Sequence, residues 1–101
     1  MRIYNVPDVS EHQPDFDFTP YAGKYAILRA GVASREDYSF RRHVAECQRL
    51  GITIGVYFYS YALNVAQAIE EAQRFLSIIS GVDIGLGVWL DMEDADHYKV
   101  N

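Results

Sequence analysis

The segment from Gly51 to Tyr61 reads GITIGVYFYSY and carries the strongest β-strand signal in the chain. It is rich in β-branched and aromatic residues, which favour strands. Residues 65–79 then repeat apolar residues at helical spacing, with Asn64 placed to begin the helix and Gly81 to end it. The apolar stripe of this helix consists of Val65, Ala68, Ile69, Ala72, Phe75, Leu76 and Ile79. Ile84 to Asp91, which reads IGLGVWLD, predicts the next strand, so the order strand–helix–strand indicates a right-handed unit with parallel strands.

The pattern extends towards the N-terminus. Arg2 to Val6 is a short apolar run that ends at a proline, and Lys24 to Ala30 is a second strand-like run. Tyr38 to Leu50 has helical spacing, whereas Gln13 to Gly23 predicts only a short helix after Thr19-Pro20. About four parallel strands alternating with helices predict the first half of a TIM-like (β/α) barrel, whose usual length is roughly 250 residues. A flavodoxin-like open sheet is the alternative, and it is less favoured because the chain has no phosphate-binding glycine loop.

The composition is that of a folded globular protein. Of the 101 residues, 50% are apolar and 23% are charged, and the net charge is −5. An acidic chain is a poor candidate for binding nucleic acid or an anionic membrane surface. A single cysteine, Cys47, excludes a disulfide framework within the chain. No stretch resembles a membrane span or a Sec-type signal peptide, so we expect synthesis in a cytoplasm unless a signal has been removed.

Acidic and aromatic residues follow the predicted strands. In parallel α/β folds chemistry collects at the carboxyl ends of strands, and side chains alternate between the two faces. Tyr57 and Tyr59 then share one face of their strand, as do Trp89, Asp91 and Glu93 of the next. If both faces point inward, carboxylates lie beside tyrosines. This combination suits a carbohydrate, because aromatic rings stack on sugars and carboxylates act on the glycosidic oxygen.

Asp91 and Glu93 form a pair of carboxylates that project the same way. Two like charges this close raise the pKa of at least one of them, which keeps a carboxylic acid protonated for donation to a leaving group. The competing interpretation is that Asp91 caps a following helix and Glu93 lies on its exposed first turn. Asp8 is equally typical of a turn, and Arg29 of a surface or salt-bridging arginine.

A metal site is a further interpretation of the acidic residues. His97 with Asp94 and Asp96 could form a metal cluster, and a metal-dependent barrel hydrolase would use Asp8, Asp91 and His97. Acidic residues after a strand are more often a solvated loop, so this hypothesis is the less favoured one. It predicts that a chelator abolishes activity.

Seven segments, in order along nearly the whole chain, resemble the N-terminal half of the catalytic domain of glycoside hydrolase family 25 lysozymes, which are bacterial and phage muramidases. The segments are Val6 to Ser10 with Gln13, Asp17-Phe18, Tyr25 to Ala30, Tyr38 to Phe40, Gly51 to Tyr59, Ala68 to Leu76, and Leu90 to Glu93. The chain departs from the family pattern at three places. Arg29-Ala30-Gly31 lacks the usual acidic residue, Pro14 replaces a glycine, and Phe58 replaces a histidine.

The resemblance implies hydrolysis of the β-1,4 bond between N-acetylmuramic acid and N-acetylglucosamine in peptidoglycan. It implies that Glu93 is the general acid/base and that Asp91 orients the acetamido group or stabilises charge. Asp8 would be the third carboxylate, and Tyr57 would line the cleft. We expect Tyr59 and Arg29 to bind substrate together with Tyr57. No metal and no cofactor are implied.

The resemblance also implies that residues 1–101 are the N-terminal portion of a single catalytic domain, because the family's domain is about twice this long. We see no separate wall-binding domain, and we expect a complementary C-terminal half or a second copy of the chain as partner, besides peptidoglycan glycan strands. The alternative function is a non-catalytic half-domain that binds glycan or assembles with a partner. Synthesis in the cytoplasm of a phage-infected host, followed by action on the bacterial cell wall, would fit an endolysin.

Overall fold

The computed structural model describes residues 6–91 of the chain. It contains five strands and two α-helices, with a short 3-10 turn at Thr19–Tyr21. The strands are β1 (Asp8–Val9), β2 (Tyr25–Val32), β3 (Arg35–Glu36), β4 (Thr53–Tyr59) and β5 (Gly87–Asp91). The helices are α1 (Phe40–Arg49) and α2 (Val65–Ile79). Within residues 6–91 no helix is both long enough and apolar enough to cross a membrane.

The sheet has the order β1-β2-β4-β5, and all three pairings along this path are parallel. Parallel strands that follow one another in chain order are typical of a β/α barrel, whereas a flavodoxin-like sheet places its first strand in the interior. Here β1 pairs only with β2 among the described strands. The sheet therefore confirms the predicted class, mixed α/β with parallel strands alternating with helices.

Two predicted strands begin at other residues in the structure, and one strand had not been predicted. The first ladder begins at Asp8, because Pro7 has no N–H to donate and contributes only its carbonyl, which accepts from Ile27 N at 2.8 Å. Residues 2–5 of the predicted first strand lie outside the described residues. The last strand begins at Gly87, where φ is +131°, instead of at residue 84. The short antiparallel β3 was not predicted, because two residues carry no periodicity.

The core lies between the sheet and the two helices. Phe40, Val44 and Cys47 of α1 are buried, as their spacing predicts. His43 is buried with them, so its predicted place on the polar side of α1 is wrong. The reason is a local partner, since its Nε2 lies 3.0 Å from the carbonyl oxygen of Gln13.

Helix α2 has the predicted bounds but packs through another side. Asn64 begins it, accepting a hydrogen bond from Gln67 N at 2.8 Å. Phe75 and Ile78 are buried with Glu71, and the ring of Phe75 stacks on Phe58 with centroids 4.9 Å apart. Most of the predicted stripe is exposed, namely Val65, Ala68, Ile69, Ala72 and Leu76. The prediction failed because Glu71, which the apolar pattern excluded, has hydrogen-bond partners beneath the helix.

Candidate active site

The register of the sheet gathers the candidate residues on one face. Arg29 is paired with Tyr57, and Tyr57 with Trp89. One row closer to the carboxyl ends, Tyr59 is paired with Asp91. Paired residues of neighbouring strands point to the same side of a sheet. We call the side that carries these residues and Asp8 the cleft face; the opposite side, covered by α1 and α2, is the helix face.

An irregularity in β2 sets which of its residues reach the cleft face. Arg29 is paired with Tyr57 but Gly31 with Phe58, so Ala30 is an extra residue in the ladder. Gly31 consequently lies on the helix face, where an added Cβ would be 2.9 Å from the Phe58 ring and 2.8 Å from the backbone oxygen of Arg35. Such bulges redirect side chains next to functional sites.

Asp8 and Tyr57 interact on the cleft face. Burial raises the pKa of the Tyr57 phenol above its ordinary value, and the Asp8 carboxylate raises that pKa further through its charge and a hydrogen bond. The Arg29 guanidinium has the opposite, smaller effect on the same pKa. Tyr57 is therefore a neutral hydroxyl at physiological pH and serves as a hydrogen-bond donor beside a carboxylate.

Arg29 is buried and held by two acidic residues that the sequence analysis missed. Its Nε donates to Asp37 Oδ2 at 2.8 Å, and its Nη2 lies 3.5 Å from Glu11 Oε2. Arg35 binds both carboxylate oxygens of Glu11 at 2.8 Å. The Arg35 hydrogen bond is the main reason that the pKa of Glu11 is lowered to about 2.

Asp37 carried one local signal that could have identified it. It stands two residues before Ser39, and Ser39 precedes α1, so it occupies a position typical of an Asx turn at a helix start. Its Oδ1 accepts from Ser39 N at 2.9 Å, as that turn requires. Its second partner, Arg29, is eight residues away across the β2–β3 hairpin and could not be inferred from local spacing.

Asp91 ends β5 beside the loop that follows β4. Its backbone oxygen accepts from Ser60 N at 2.8 Å. The Ser60 hydroxyl in turn donates to Glu71 Oε1 at 2.5 Å, and Tyr61 N donates to Glu71 Oε2 at 3.2 Å. The rings of Tyr59 and Tyr61 lie 4.9 Å apart. The buried Glu71 carboxylate thus fixes the loop that adjoins Asp91.

The structure therefore brings together five of the six predicted site residues, Asp8, Arg29, Tyr57, Tyr59 and Asp91. The sixth, Glu93, lies outside the described residues, as do Asp94, Asp96 and His97 of the metal hypothesis. Among residues 6–91 no group of three or more histidine, cysteine, aspartate or glutamate side chains is placed to hold a metal ion. Cys47 is buried, and burial raises the pKa of its thiol to about 12, which makes it unreactive.

A parallel α/β sheet whose carboxyl edge presents carboxylates, tyrosines and a buried arginine is an arrangement that enzymes acting on carbohydrates use. The family model described as "Glycosyl hydrolases family 25" matches residues 7–101. The chain belongs to this family.

Solved structures show the same fold. The modular autolysin LytC from Streptococcus pneumoniae matches with a TM-score of 0.79 and 27% identity, over 88% of this chain and 22% of that chain. LytC in complex with a synthetic peptidoglycan ligand matches with a TM-score of 0.75 and 27% identity, over 87% of this chain and 22% of that chain.

The catalytic domain of endolysin ply40 from bacteriophage P40 of Listeria monocytogenes matches with a TM-score of 0.75 and 22% identity, over 88% of this chain and 47% of that chain. The chain thus spans less than half the length of these structures. A comparison with curated protein sequences gave no significant match.

Proposed function

We propose that this chain is the N-terminal portion of a peptidoglycan hydrolase domain that cleaves the β-1,4 bond between N-acetylmuramic acid and N-acetylglucosamine. The observation that carries the proposal is the gathering of Asp8, Tyr57, Tyr59 and Asp91 on one face of the sheet, in a member of glycosyl hydrolase family 25. The autolysin LytC, which was solved with a synthetic peptidoglycan ligand, supports the choice of substrate.

In the proposed mechanism Glu93 is the general acid/base. It stands two positions after Asp91 in the sequence. The protonated carboxyl donates to the oxygen of the leaving sugar as the glycosidic bond breaks, while Asp91 and Asp8 stabilise the positive charge that develops on the ring. Water then supplies the new hydroxyl at the anomeric carbon and gives its proton back to Glu93, which acts as the base. Tyr57 remains neutral and orients Asp8 through its hydroxyl. The proposed mechanism uses no metal and no cofactor.

We further propose that full activity needs the rest of a barrel, supplied by a complementary half or a second copy of the chain. Val88 and Leu90 lie on the helix face of β5, because they are paired with Val56 and Phe58, yet they are 49% and 56% exposed. Val56 and Phe58, by contrast, are fully buried. The apolar side chains of β5 have no cover among residues 6–91, which is what an incomplete barrel predicts.

The same exposed face favours a second candidate function, a non-catalytic half-domain that binds glycan or assembles with a partner. The two candidates differ in whether bonds are broken. We propose the bacterial cell wall as the place of action in either case. Synthesis in a cytoplasm, which for an endolysin would be that of a phage-infected host, stays a prediction.

Release of new reducing ends from purified peptidoglycan tests the proposal. The parent chain, Glu93→Gln and the matched control Glu70→Gln, which changes an exposed glutamate of α2, are each assayed alone and after addition of a polypeptide that supplies the remaining strands. After this addition we expect the parent and the control to release reducing ends. We expect the rate of release to fall at least about 100-fold in Glu93→Gln and to be unaffected by a chelator. Binding of peptidoglycan without release, in both settings, would replace the hydrolase with the non-catalytic half-domain.

A further inference from the structure

We propose that Asp37 and Glu11 are positioning residues that hold the Arg29 guanidinium so that its terminal nitrogens receive the carbonyl oxygen of an N-acetyl group on the substrate. This inference rests on the proposed function, because it assigns part of the same cleft. It adds Asp37 and Glu11 to the residues that shape the cleft, and it names one chemical group of the substrate.

The first step is the way in which Arg29 is anchored. Its Nε donates to Asp37 Oδ2 at 2.8 Å, and its Nη2 forms an ion pair with Glu11 Oε2 at 3.5 Å. A guanidinium is planar, so a bond at Nε fixes the plane; Nη2 lies on the same edge as Nε, towards Glu11, and Nη1 lies on a different edge. Arg29 therefore presents its remaining donors in a set direction.

The second step is that Asp37 cannot touch substrate itself. Its side chain is fully buried, and both oxygens are used. Oδ2 accepts from Arg29 Nε and from Glu11 N at 3.0 Å, and Oδ1 accepts from Ser39 N. Any influence of Asp37 on the cleft must therefore pass through Arg29 or through the loop that carries Glu11.

The third step is that Glu11 holds the other side of the guanidinium. It stays ionised across the physiological range, because Arg35 binds both of its oxygens and lowers its pKa to about 2. Arg35 is itself restrained, since its guanidinium lies 4.1 Å above the ring of Tyr38. A carboxylate with a fixed charge and a fixed place limits the swing of Arg29 Nη2, which is 3.5 Å from Glu11 Oε2.

The last step concerns what the terminal nitrogens meet. Arg29 lines an open cavity of about 490 Å³ together with Glu11, His12 and Arg35, and the remaining lining residues are Val32, Ala33, Ser34 and Tyr61. The charges of the cluster cancel, because two arginines face two carboxylates, and the Asp8 and Asp91 carboxylates lie on the same face of the sheet. Such surroundings disfavour a second anion and favour a neutral acceptor. On an amino sugar of peptidoglycan the strongest neutral acceptor is the N-acetyl carbonyl, since hydroxyl and ring oxygens accept more weakly.

A double-mutant cycle with Arg29→Met, Asp37→Asn and the double variant tests the proposal. The readout is the dissociation constant for the tetramer of N-acetylglucosamine, measured by NMR titration, with its de-N-acetylated form as the second probe. We expect each single variant to bind the acetylated tetramer about 10-fold more weakly, which corresponds to about 1.4 kcal/mol. The double variant should bind no more weakly than Arg29→Met alone, and the de-N-acetylated tetramer should not distinguish the variants.

The Nε–H resonance of Arg29 separates positioning from general support of the fold. We expect slow exchange of this proton in the parent and fast exchange in Asp37→Asn, with the backbone amide spectrum otherwise retained. Glu11→Gln is the second variant should Asp37→Asn fail to fold, and it should weaken binding of the acetylated tetramer several-fold with the Nε–H signal intact.

Three results would overturn the proposal. The first is additive losses in the cycle, which would mean that Asp37 acts independently of Arg29. The second is weakened binding only for ligands that carry the muramic acid carboxylate, which would assign Arg29 to that anion. The third is a parent chain that binds neither tetramer. None of these readouts requires bond cleavage, so a chain that fails to hydrolyse peptidoglycan can still confirm or refute the positioning role.

Discussion

The interior strand β2 and the outer strand β5 have opposite surroundings. Around β2, charged side chains are buried, and Arg29, Asp37 and Glu11 satisfy one another. At β5, apolar side chains that face the helix side are open to solvent, among them Leu90. The charged groups around Arg29 therefore have partners among residues 6–91, whereas the apolar side chains on the helix face of β5 have no cover among those residues.

The largest expected effect on the free energy of unfolding is at the buried ion pair of Arg29 and Asp37. Asp37→Ala leaves the Arg29 guanidinium buried without its partner, which we expect to lower the free energy of unfolding by about 3–5 kcal/mol. Urea denaturation followed by circular dichroism measures the change. Asp15→Ala is the control, because Asp15 pairs with Arg42 on the surface and should cost less than about 1 kcal/mol. Equal losses in the two variants would mean that the buried pair of Arg29 and Asp37 contributes no more to stability than a surface pair.

A smaller loss is expected at the bulge. Gly31→Ala places a methyl group 2.8 Å from the backbone oxygen of Arg35 and 2.9 Å from the Phe58 ring. Overpacking of this kind costs about 1–3 kcal/mol. The same denaturation experiment applies, with Ala22→Gly in an exposed loop as a mild control. Stability equal to that of the parent would show that the β2–β4 contact is loose.

Stability should also depend on pH through His43. Burial lowers the pKa of this imidazole below its ordinary value of 6.5 in the folded state. The unfolded chain then binds the proton first as the pH falls, so stability decreases from pH 6.5 down to the depressed pKa and is regained as the pH rises. Unfolding at pH 7.5 and 5.5 measures the difference, and we expect it to shrink in His43→Gln but not in the exposed His12→Gln. Glu11 does not contribute between pH 5.5 and 7.5, because both its ordinary pKa of 4.5 and its folded-state pKa of about 2 lie below this range.

The smallest effect on stability is expected at the outer strand. Leu90→Gln and Val88→Thr change side chains that are already exposed, so the free energy of unfolding of the chain alone should shift by less than about 0.5 kcal/mol. Their effect should appear in association, measured by analytical ultracentrifugation as reduced self-association or weaker binding to a complementary half. A large loss of stability in the chain alone would mean that β5 is already covered.

The sequence predicted the elements better than their faces. The alternation of apolar and polar residues placed Tyr57, Tyr59 and Asp91 correctly, because a strand has a strict period of two. For α2 the bounds were right and the buried side was wrong. A helix packs on the side that satisfies all its groups, and Glu71 finds Ser60 and Tyr61 N beneath it.

The polar frame around Arg29 could not be predicted either. Its partners are contributed by a loop after β1 and by the turn before α1, and tertiary contacts alone bring them together. The bulge at Ala30 could not be predicted either. One extra residue moves the later residues of β2 to the other face of the sheet, and no residue pattern signals it. His43 shows the reverse case, a polar residue made buried by one backbone carbonyl.

Trp89 gives the cleft an optical property of its own. It is the single tryptophan of the chain. Its indole packs directly on Gly55, since a Cβ added to Gly55 would be 2.5 Å from Cζ3 of Trp89. It is paired with Tyr57, which places it on the cleft face, and it remains 44% exposed. Intrinsic fluorescence excited at the indole band therefore originates from one known spot on the floor of the cleft. A sugar that stacks there would shift the emission without any label.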